Sequence, residues 1–267
     1  MQSEYFIFDG IASADMGLYI VRMNDGFVDN PFAGGKNLKI ESRRNKVNPY
    51  FYGVEKSVLE FSLQLTLLDE NLQPKEWTAA ERMVVAKWLF HDTYKAFQTA
   101  DDLGKVYYGI FTKDSNIATV NGTGYLEVNF QTNSYCAWSP VTYSTFDLWN
   151  NTETGTIIEV ENLSNVNNIY LPKIEIEMKH SDLESDLTVQ LINLSNNNLD
   201  FSFTGLYYDE IISVDNENKI ILTSYPVHIN PYELFSKNWM KLVYGVNQIQ
   251  VFGKCKITFE CQFPLIR

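Results

Sequence analysis

The stretch Lys254-Cys255-Lys256-Ile257-Thr258-Phe259-Glu260-Cys261-Gln262-Phe263 decides the fold of this chain. Its odd positions are all apolar or cysteine, and its even positions are charged, hydroxylated or amides. Because successive side chains of a strand point to opposite faces of a sheet, this alternation predicts a β-strand with one buried and one solvated face. Only four residues follow Phe263, so we expect the chain to end by completing a β-sandwich rather than an α/β layer.

The same alternation recurs throughout the 267 residues and indicates a mainly β protein. Turn-forming pairs such as Asp9-Gly10 and Asn121-Gly122 separate the alternating runs, which favours antiparallel sheets with one solvated face. The clearest other runs are Leu59–Leu67, Leu126–Gln131, Ile174–Lys179 and Leu187–Leu191.

One segment, Thr78–His91, predicts an α-helix. Thr78-Ala79-Ala80-Glu81 matches a capping box, in which the threonine caps a free backbone N–H and the glutamate reaches back. Spacings of three and four predict one buried apolar face, formed by Ala80, Met83, Val84 and Trp88.

The pattern of predicted secondary structure changes after Phe130. The change begins at Ser139-Pro140, and only strands and turns are predicted from Thr156 onward. We therefore expect an α+β domain with one helix at residues 1–140, followed by an all-β sandwich domain at residues 141–267.

Bulk composition excludes several classes of protein. A net charge of −12 and a pI of about 4.7 argue against capture of nucleic acid by basic groups. Cys255 and Cys261 would lie roughly 20 Å apart on one strand, beyond disulfide reach, so we expect buried thiols in a reduced compartment. Neither a secretory signal nor an apolar run of membrane length is present, so we expect synthesis in a cytoplasm and no membrane insertion.

Motifs for chemistry are lacking. The three histidines, His91, His180 and His228, share no metal-ligand spacing, and no nucleophile elbow or phosphate-binding glycine loop occurs. The run Asp182–Asp186 offers only the first part of a calcium loop. We expect no catalytic residue, metal or cofactor and no enzymatic activity, although distant paired carboxylates of a glycosidase stay open.

Residues 24–52 hold the dense positive charge of an otherwise acidic chain. Two interpretations fit this segment: a solvated hairpin, or an extended arm that docks onto an acidic neighbouring copy. The candidate contact residues of such an inter-subunit arm are Lys36, Lys39, Arg43, Arg44 and Lys46.

Aromatic residues of the second domain are candidates for stacking on sugars. Tyr207, Tyr208 and Trp239 are the candidates, and ordinary core or interface packing is the alternative.

Two stretches near the ends of the chain resemble the distal tail proteins of siphophages. Phe6–Ile20 contains the pattern F-x-G-x-x-S-x-D-x-G-L, and Trp239–Gly253 resembles the family's L-x-x-G-x-N-x-I-x-V-x-G ending. Val214–Ile220 is similar to the family's strand-turn-strand before it. Gly245 and Asn247 predict a tight turn, because both tolerate left-handed backbone.

The resemblance implies a structural virion protein, assembled in the host cytoplasm. It implies a tail-tube-like β-sandwich with one flanking helix, followed by a galectin-like β-sandwich. Six copies would form a hub ring that joins the distal end of the tail tube to the tip or baseplate and leaves a channel for DNA. Implied partners are the tail tube protein, a tail tip hub protein and receptor-binding proteins, with DNA passing unbound. The alternative is a carbohydrate-binding module for host-surface adhesion.

Overall fold

The computed structural model describes residues 4–21, 35–44, 46–120, 123–166, 168–179 and 185–266. The chain divides into two compact units, Met1–Ser139 with Leu265–Arg267 and Pro140–Pro264. Strands dominate both units, so the predicted mainly β fold class is confirmed. None of the described helices is long and apolar enough to cross a membrane.

The first unit contains one large antiparallel sheet, a separate hairpin and one α-helix. A short 3-10 helix, Ser13–Met16, connects its second and third strands. The elements in chain order are β1 (Phe6–Phe8), β2 (Ile11–Ala12), β3 (Leu18–Ile20), β4 (Lys36–Glu41), β5 (Tyr50–Lys56), β6 (Glu60–Leu67), α1 (Ala79–Leu89), β7 (Lys95–Thr99), β8 (Asp102–Val120), β9 (Thr123–Thr132) and β10 (Ala137–Trp138).

The large sheet has the strand order β2-β1-β7-β8-β9-β6-β3, and β10 adds to β8. The Ile20 amide donates to the Glu4 carbonyl over 2.8 Å, which links the β3 end of this order to the residues just before β1. The sheet therefore curls around a core rich in phenylalanine. Within that core the rings of Phe97 and Phe130 lie 4.8 Å apart, and Phe6 stacks on Trp88 at 5.6 Å.

Helix α1 begins where the sequence predicts, but it buries a different face. The capping box is present, with the Glu81 amide donating to Thr78 Oγ1 and the Thr78 amide donating to the Glu81 carboxylate. The predicted face of Ala80, Met83, Val84 and Trp88 is wrong except at Trp88, since Met83 is 69% and Val84 50% exposed.

The buried face of α1 is instead formed by Val85, Trp88 and Leu89. These residues also recur at spacings of three and four, so the helix carries two apolar stripes. Trp88 is common to both stripes; its indole N–H donates to the Phe8 carbonyl and its ring packs against Phe6. The stripe that enters the core is the one that adds Val85 and Leu89, which are 4% and 0% exposed.

The described part of the second unit contains two larger sheets, one two-stranded sheet and a short 3-10 helix at Pro231–Glu233. Its elements in chain order are β11 (Thr142–Leu148), β12 (Thr156–Asn162), β13 (Ile169–Tyr170), β14 (Lys173–Met178), β15 (Leu187–Asn193), β16 (Leu199–Leu206), β17 (Ile211–Asp215), β18 (Ile220–Thr223), β19 (Leu242–Val243), β20 (Gly245–Phe252), β21 (Cys255–Cys261) and β22 (Pro264–Leu265). Strand β22 returns to the first unit at Leu265 and pairs there with β10.

The two sheets of the second unit have the orders β11-β21-β14-β17-β18 and β12-β20-β15-β16, and β13 pairs with β19. Strand β21 confirms the predicted alternation, since its four odd positions are buried. It is an interior strand, between β11 and β14. Cys255 and Cys261 are free thiols, and burial raises the pKa of each to about 12, so both serve as core residues.

Candidate functional site

The predicted arm contains a two-stranded hairpin of β4 and β5, called here the basic hairpin and comprising residues 35–57. Among the described residues, β4 and β5 pair only with each other. The Ser57 amide donates to the Gly35 carbonyl and closes the base of the hairpin. Residues 24–34 of the predicted arm lie outside the described residues. The five candidate contact residues Lys36, Lys39, Arg43, Arg44 and Lys46 are all exposed on the hairpin.

The charges of the basic hairpin are weakly paired. Lys39 lies 3.4 Å from Glu55, and Arg43 lies 3.4 Å from Glu41, at the surface where ion pairs contribute little. The Lys46 ammonium contacts the Tyr50 ring and hydroxyl. Residues 36–56 hold six basic and two acidic side chains, a net +4, so the rest of the −12 chain carries −16. The hairpin is therefore a positive projection on an acidic protein.

The basic hairpin also exposes large apolar side chains. Leu38 and Phe51 are 62% and 63% exposed, and Val47, near the turn, is 99% exposed. A two-stranded hairpin alone is marginally stable in water, and its outer edges present unpaired backbone groups. The basic hairpin therefore exposes both apolar side chains and free strand edges to solvent. Its other exposed apolar or aromatic residues are Ile40, Tyr50, Tyr52 and Val54.

The candidate sugar-stacking residues fall into two different ring clusters. Tyr207 stacks on Tyr225 with ring centroids 4.2 Å apart. Trp239 packs edge-on against Phe235 at 4.9 Å. No ring contact joins the two clusters among the residues that the structure describes. Tyr208 is 36% exposed, and the structure does not bring these three residues together as one stacking platform.

A buried carboxylate beside Tyr207 was missed from the sequence. Glu210 is 0% exposed and accepts hydrogen bonds from the Thr223 hydroxyl and the Tyr207 amide, and it lies 2.8 Å from His228 Nδ1. Every partner is internal, which indicates a structural tie between β17, β18 and the loop that holds His228. Nothing in the spacing of these residues along the sequence signals their meeting.

The turn before β20 depends on Gly245 and Asn247 for different reasons. Gly245 has φ +85°, the left-handed backbone that the sequence predicts. Asn247 lies within β20 and acts through its side chain instead, so the prediction of left-handed backbone for it is wrong. Its Nδ2 donates to the carbonyls of Val243 and Gly245, and its Oδ1 accepts from the Val243 amide. A fully buried side chain thus closes this turn.

Three further buried asparagines hold the same segment, residues 240–247. Asn162 donates to the Leu242 carbonyl and Asn193 to the Lys241 carbonyl, while the Met240 amide donates to Asn216 Oδ1. Each of the three is at most 1% exposed. We call them, with Asn247, the asparagine clamp. The sequence does contain a signal for these contacts. Asn162 and Asn193 occupy core-facing positions of strands with alternating polarity, where a buried amide needs hydrogen-bond partners within the protein.

The described part of the chain holds no group of three or more His, Cys, Asp and Glu that could bind a metal ion. Of the residues considered from the sequence, His180, Asp182 and Glu184 lie outside the described residues. His91 lies 3.9 Å from Asp9, where Lys95 also makes an ion pair.

Both parts of the chain match models of phage tail protein domains. A model described as the phage tail protein N-terminal domain matches residues 1–134, and a phage tail C-terminal domain model matches residues 136–261. The chain belongs to this family.

One curated protein and several solved structures are similar to the chain. The chain is 25% identical to the SPbeta prophage-derived uncharacterized protein YomH of Bacillus subtilis (strain 168), over 99% of both chains. Its structure is similar to the crystal structure of SPP1 Dit (gp 19.1), described as a paradigm of the hub adsorption apparatus in phages that infect Gram-positive bacteria. That match has a TM-score of 0.66 and 13% identity, and it covers 97% of this chain and 98% of the other. A phage P2 baseplate chain matches with a TM-score of 0.47 and 9% identity over 97% and 98% of the two chains.

Proposed function

We propose that this protein is the distal tail hub of a siphophage, in which six copies form a ring. The ring joins the distal end of the tail tube to the tip or baseplate and leaves a channel through which DNA passes. The observation that carries the proposal is the similarity of both units, in one chain, to SPP1 Dit over nearly the full length of each protein. In this role the protein is a component of the virion and not an enzyme, and it assembles in the host cytoplasm.

The basic hairpin is the proposed inter-subunit arm. Its exposed apolar residues and unpaired strand edges favour burial against another surface, and its net +4 charge complements the −16 on the rest of the chain. In a head-to-tail ring each copy offers one hairpin and receives another, so every hairpin is covered when the ring closes. Lys36, Lys39, Arg43, Arg44 and Lys46 would then face acidic side chains of the neighbouring copy.

The acidic balance suits a channel for DNA. A wall of net negative charge repels phosphate and would let the duplex pass without gripping it. Partners at the two ring faces would be the tail tube protein and a tail tip hub protein, with receptor-binding proteins attached further out.

Mass measurement in solution tests the ring. Light scattering on the purified chain at micromolar concentration is expected to give about six times the 30.8 kDa chain mass. A strict monomer at high concentration would count against the hub.

A triple variant then tests the arm. Leu38→Ser, Ile40→Ser and Phe51→Ser change exposed positions, so the fold should persist while the ring dissociates. Ile229→Ser, at a position 94% exposed in the second unit, is the matched control and should leave the ring intact. A triple variant that still forms rings would show that the hairpin is not the arm.

A further inference from the structure

A groove crosses the outer face of the five-stranded sheet in the second unit. It encloses about 480 Å³, within the range of ordinary ligand sites. Its lining includes Tyr143, Lys173, Glu175, Ser213, Leu222 and Thr258. The asparagine clamp does not use this face, since none of its four asparagines lines the groove.

Sheet register places the lining residues in two rows. Thr258 on β21 is paired with Glu175 on β14, and Glu175 is paired with Ser213 on β17. In the adjacent row Lys173 on β14 lies between Glu260 and Asp215. With strands about 4.8 Å apart, the five strands span about 19 Å, so the groove suits an elongated ligand.

The walls of the groove are exposed and apolar, while its floor is polar. Tyr143 on β11 is 66% exposed at one side, and Leu222 on β18 is 63% exposed at the other. Between them lie the half-buried hydroxyls of Ser213 and Thr258. An aromatic wall above a row of hydroxyls and carboxylates matches a ligand with apolar ring faces and hydroxyl edges.

The net charge of the groove lining limits which ligands the groove can bind. Lys173 donates to Glu260 over 3.2 Å, and this contact raises the pKa of Lys173. Asp215 accepts the amides of Glu217 and Asn218. Among the described residues, Glu175 makes no ion pair. Three carboxylates against one ammonium leave the groove at net −2, which disfavours phosphorylated or carboxylated polymers.

We propose that this groove binds a saccharide without negative charge, with Tyr143 stacking on a sugar ring and Glu175 accepting hydrogen bonds from its hydroxyl or amino groups. The proposal does not depend on ring formation. It also places the sugar site away from Tyr207, Tyr208 and Trp239, none of which lines the groove.

Titration calorimetry on the full chain tests the groove with three probes. Neutral tetra-N-acetylchitotetraose and its cationic counterpart chitotetraose are expected to bind, and an anionic heparin tetrasaccharide is not. Tyr143→Ala is expected to weaken binding about tenfold by removing the stacking ring. Glu175→Gln should weaken chitotetraose more than the neutral sugar, because it removes the negative charge but keeps an acceptor oxygen.

The control variant is Tyr208→Ala, which removes an exposed tyrosine outside the groove and should leave both affinities unchanged. Absence of binding by both non-anionic sugars at millimolar concentration overturns the proposal, as does binding that Tyr143→Ala leaves intact. If Tyr143→Ala and Glu175→Gln instead disrupt the oligomer while neither sugar binds, the groove is a protein interface and the proposal fails.

Discussion

Asn247 shows how one buried side chain can fix a turn. It satisfies both the amide and the carbonyl of Val243, and its Oδ1 also accepts from Asn193. An alanine at this position would leave several buried backbone groups without partners, and each such group costs about 1–3 kcal/mol.

We therefore expect Asn247→Ala to lower the free energy of unfolding by about 2–4 kcal/mol. Urea denaturation followed by circular dichroism measures this change. Gln248→Ala, at the next, exposed position, is the control and should change stability by less than about 0.5 kcal/mol. Equal effects of the two substitutions would show that the clamp is not a stabilising network.

Two glycines of the second unit make a matched pair. Gly245 and Gly253 both have left-handed backbone, at φ +85° and +94°. A Cβ on Gly245 meets nothing within 4 Å, whereas a Cβ on Gly253 would lie 2.5 Å from the Thr188 carbonyl oxygen.

Gly245→Ala should therefore cost only the left-handed strain, about 1–2 kcal/mol. Gly253→Ala should cost clearly more, because the backbone of β15 must also move. Thermal unfolding of the two variants gives the order directly, and the reverse order would contradict the close approach of Gly253 to β15.

At the scale of elements, the capping box of α1 links helix stability to pH. The hydrogen bond from Lys75, and then those from the Thr78 amide and hydroxyl, lower the pKa of Glu81 from 4.5 to about 2. A lowered pKa in the folded state means that the unfolded chain binds the proton more tightly. Ionised Glu81 therefore adds to the free energy of unfolding above about pH 4.5, and this contribution is lost as pH falls toward 2.

Glu81→Gln should therefore flatten the pH dependence of the unfolding midpoint between pH 4.5 and 2. Thermal melts across that range compare the variant with the parent chain. Glu76→Gln, a nearby exposed carboxyl outside the box, should leave the slope unchanged. If the Glu76 and Glu81 variants show the same pH dependence, the capping box does not lower the pKa of Glu81.

The sequence predicts an element well where it carries a single signal, and poorly where two signals compete. The β21 alternation has a single solution, and the structure follows it. The capping box is also a local signal and is correct. The face of α1 was ambiguous, because two apolar stripes share Trp88 and only the packing of Val85 and Leu89 in the core shows which one is buried.

The sites divide in the same way. The charge of the basic hairpin is visible in the sequence, because it is contiguous. The groove is not, because Tyr143, Glu175 and Ser213 lie on three strands whose register only the fold supplies. The same holds for Glu210 and His228, which meet through a loop.

At the scale of the whole molecule, charge is distributed unevenly. If the proposed ring is held by the hairpin's +4 charge against the −16 of the remainder, its assembly is expected to weaken as salt is added. Sedimentation at 50 mM and 500 mM NaCl should show a shift toward smaller species at high salt.

In the double variant Lys39→Glu/Arg43→Glu the proposed hexamer should be weakened already at low salt. The control Lys241→Glu, outside the hairpin, should behave as the parent chain. A ring indifferent to salt and to these charges would leave only apolar contacts to hold it.

The basic hairpin makes a newly made, unassembled chain sensitive to proteases. Six lysines and arginines lie from residue 36 to residue 56, three in the two strands and three in the loop between them, and the described side chains of this segment are almost all exposed. Each is a cleavage point for a trypsin-like protease, and the proposed ring covers them all at once. A lone copy would be cut first at this hairpin, whereas an assembled copy would resist. Protease sensitivity at one segment would thus distinguish unassembled copies from finished hubs.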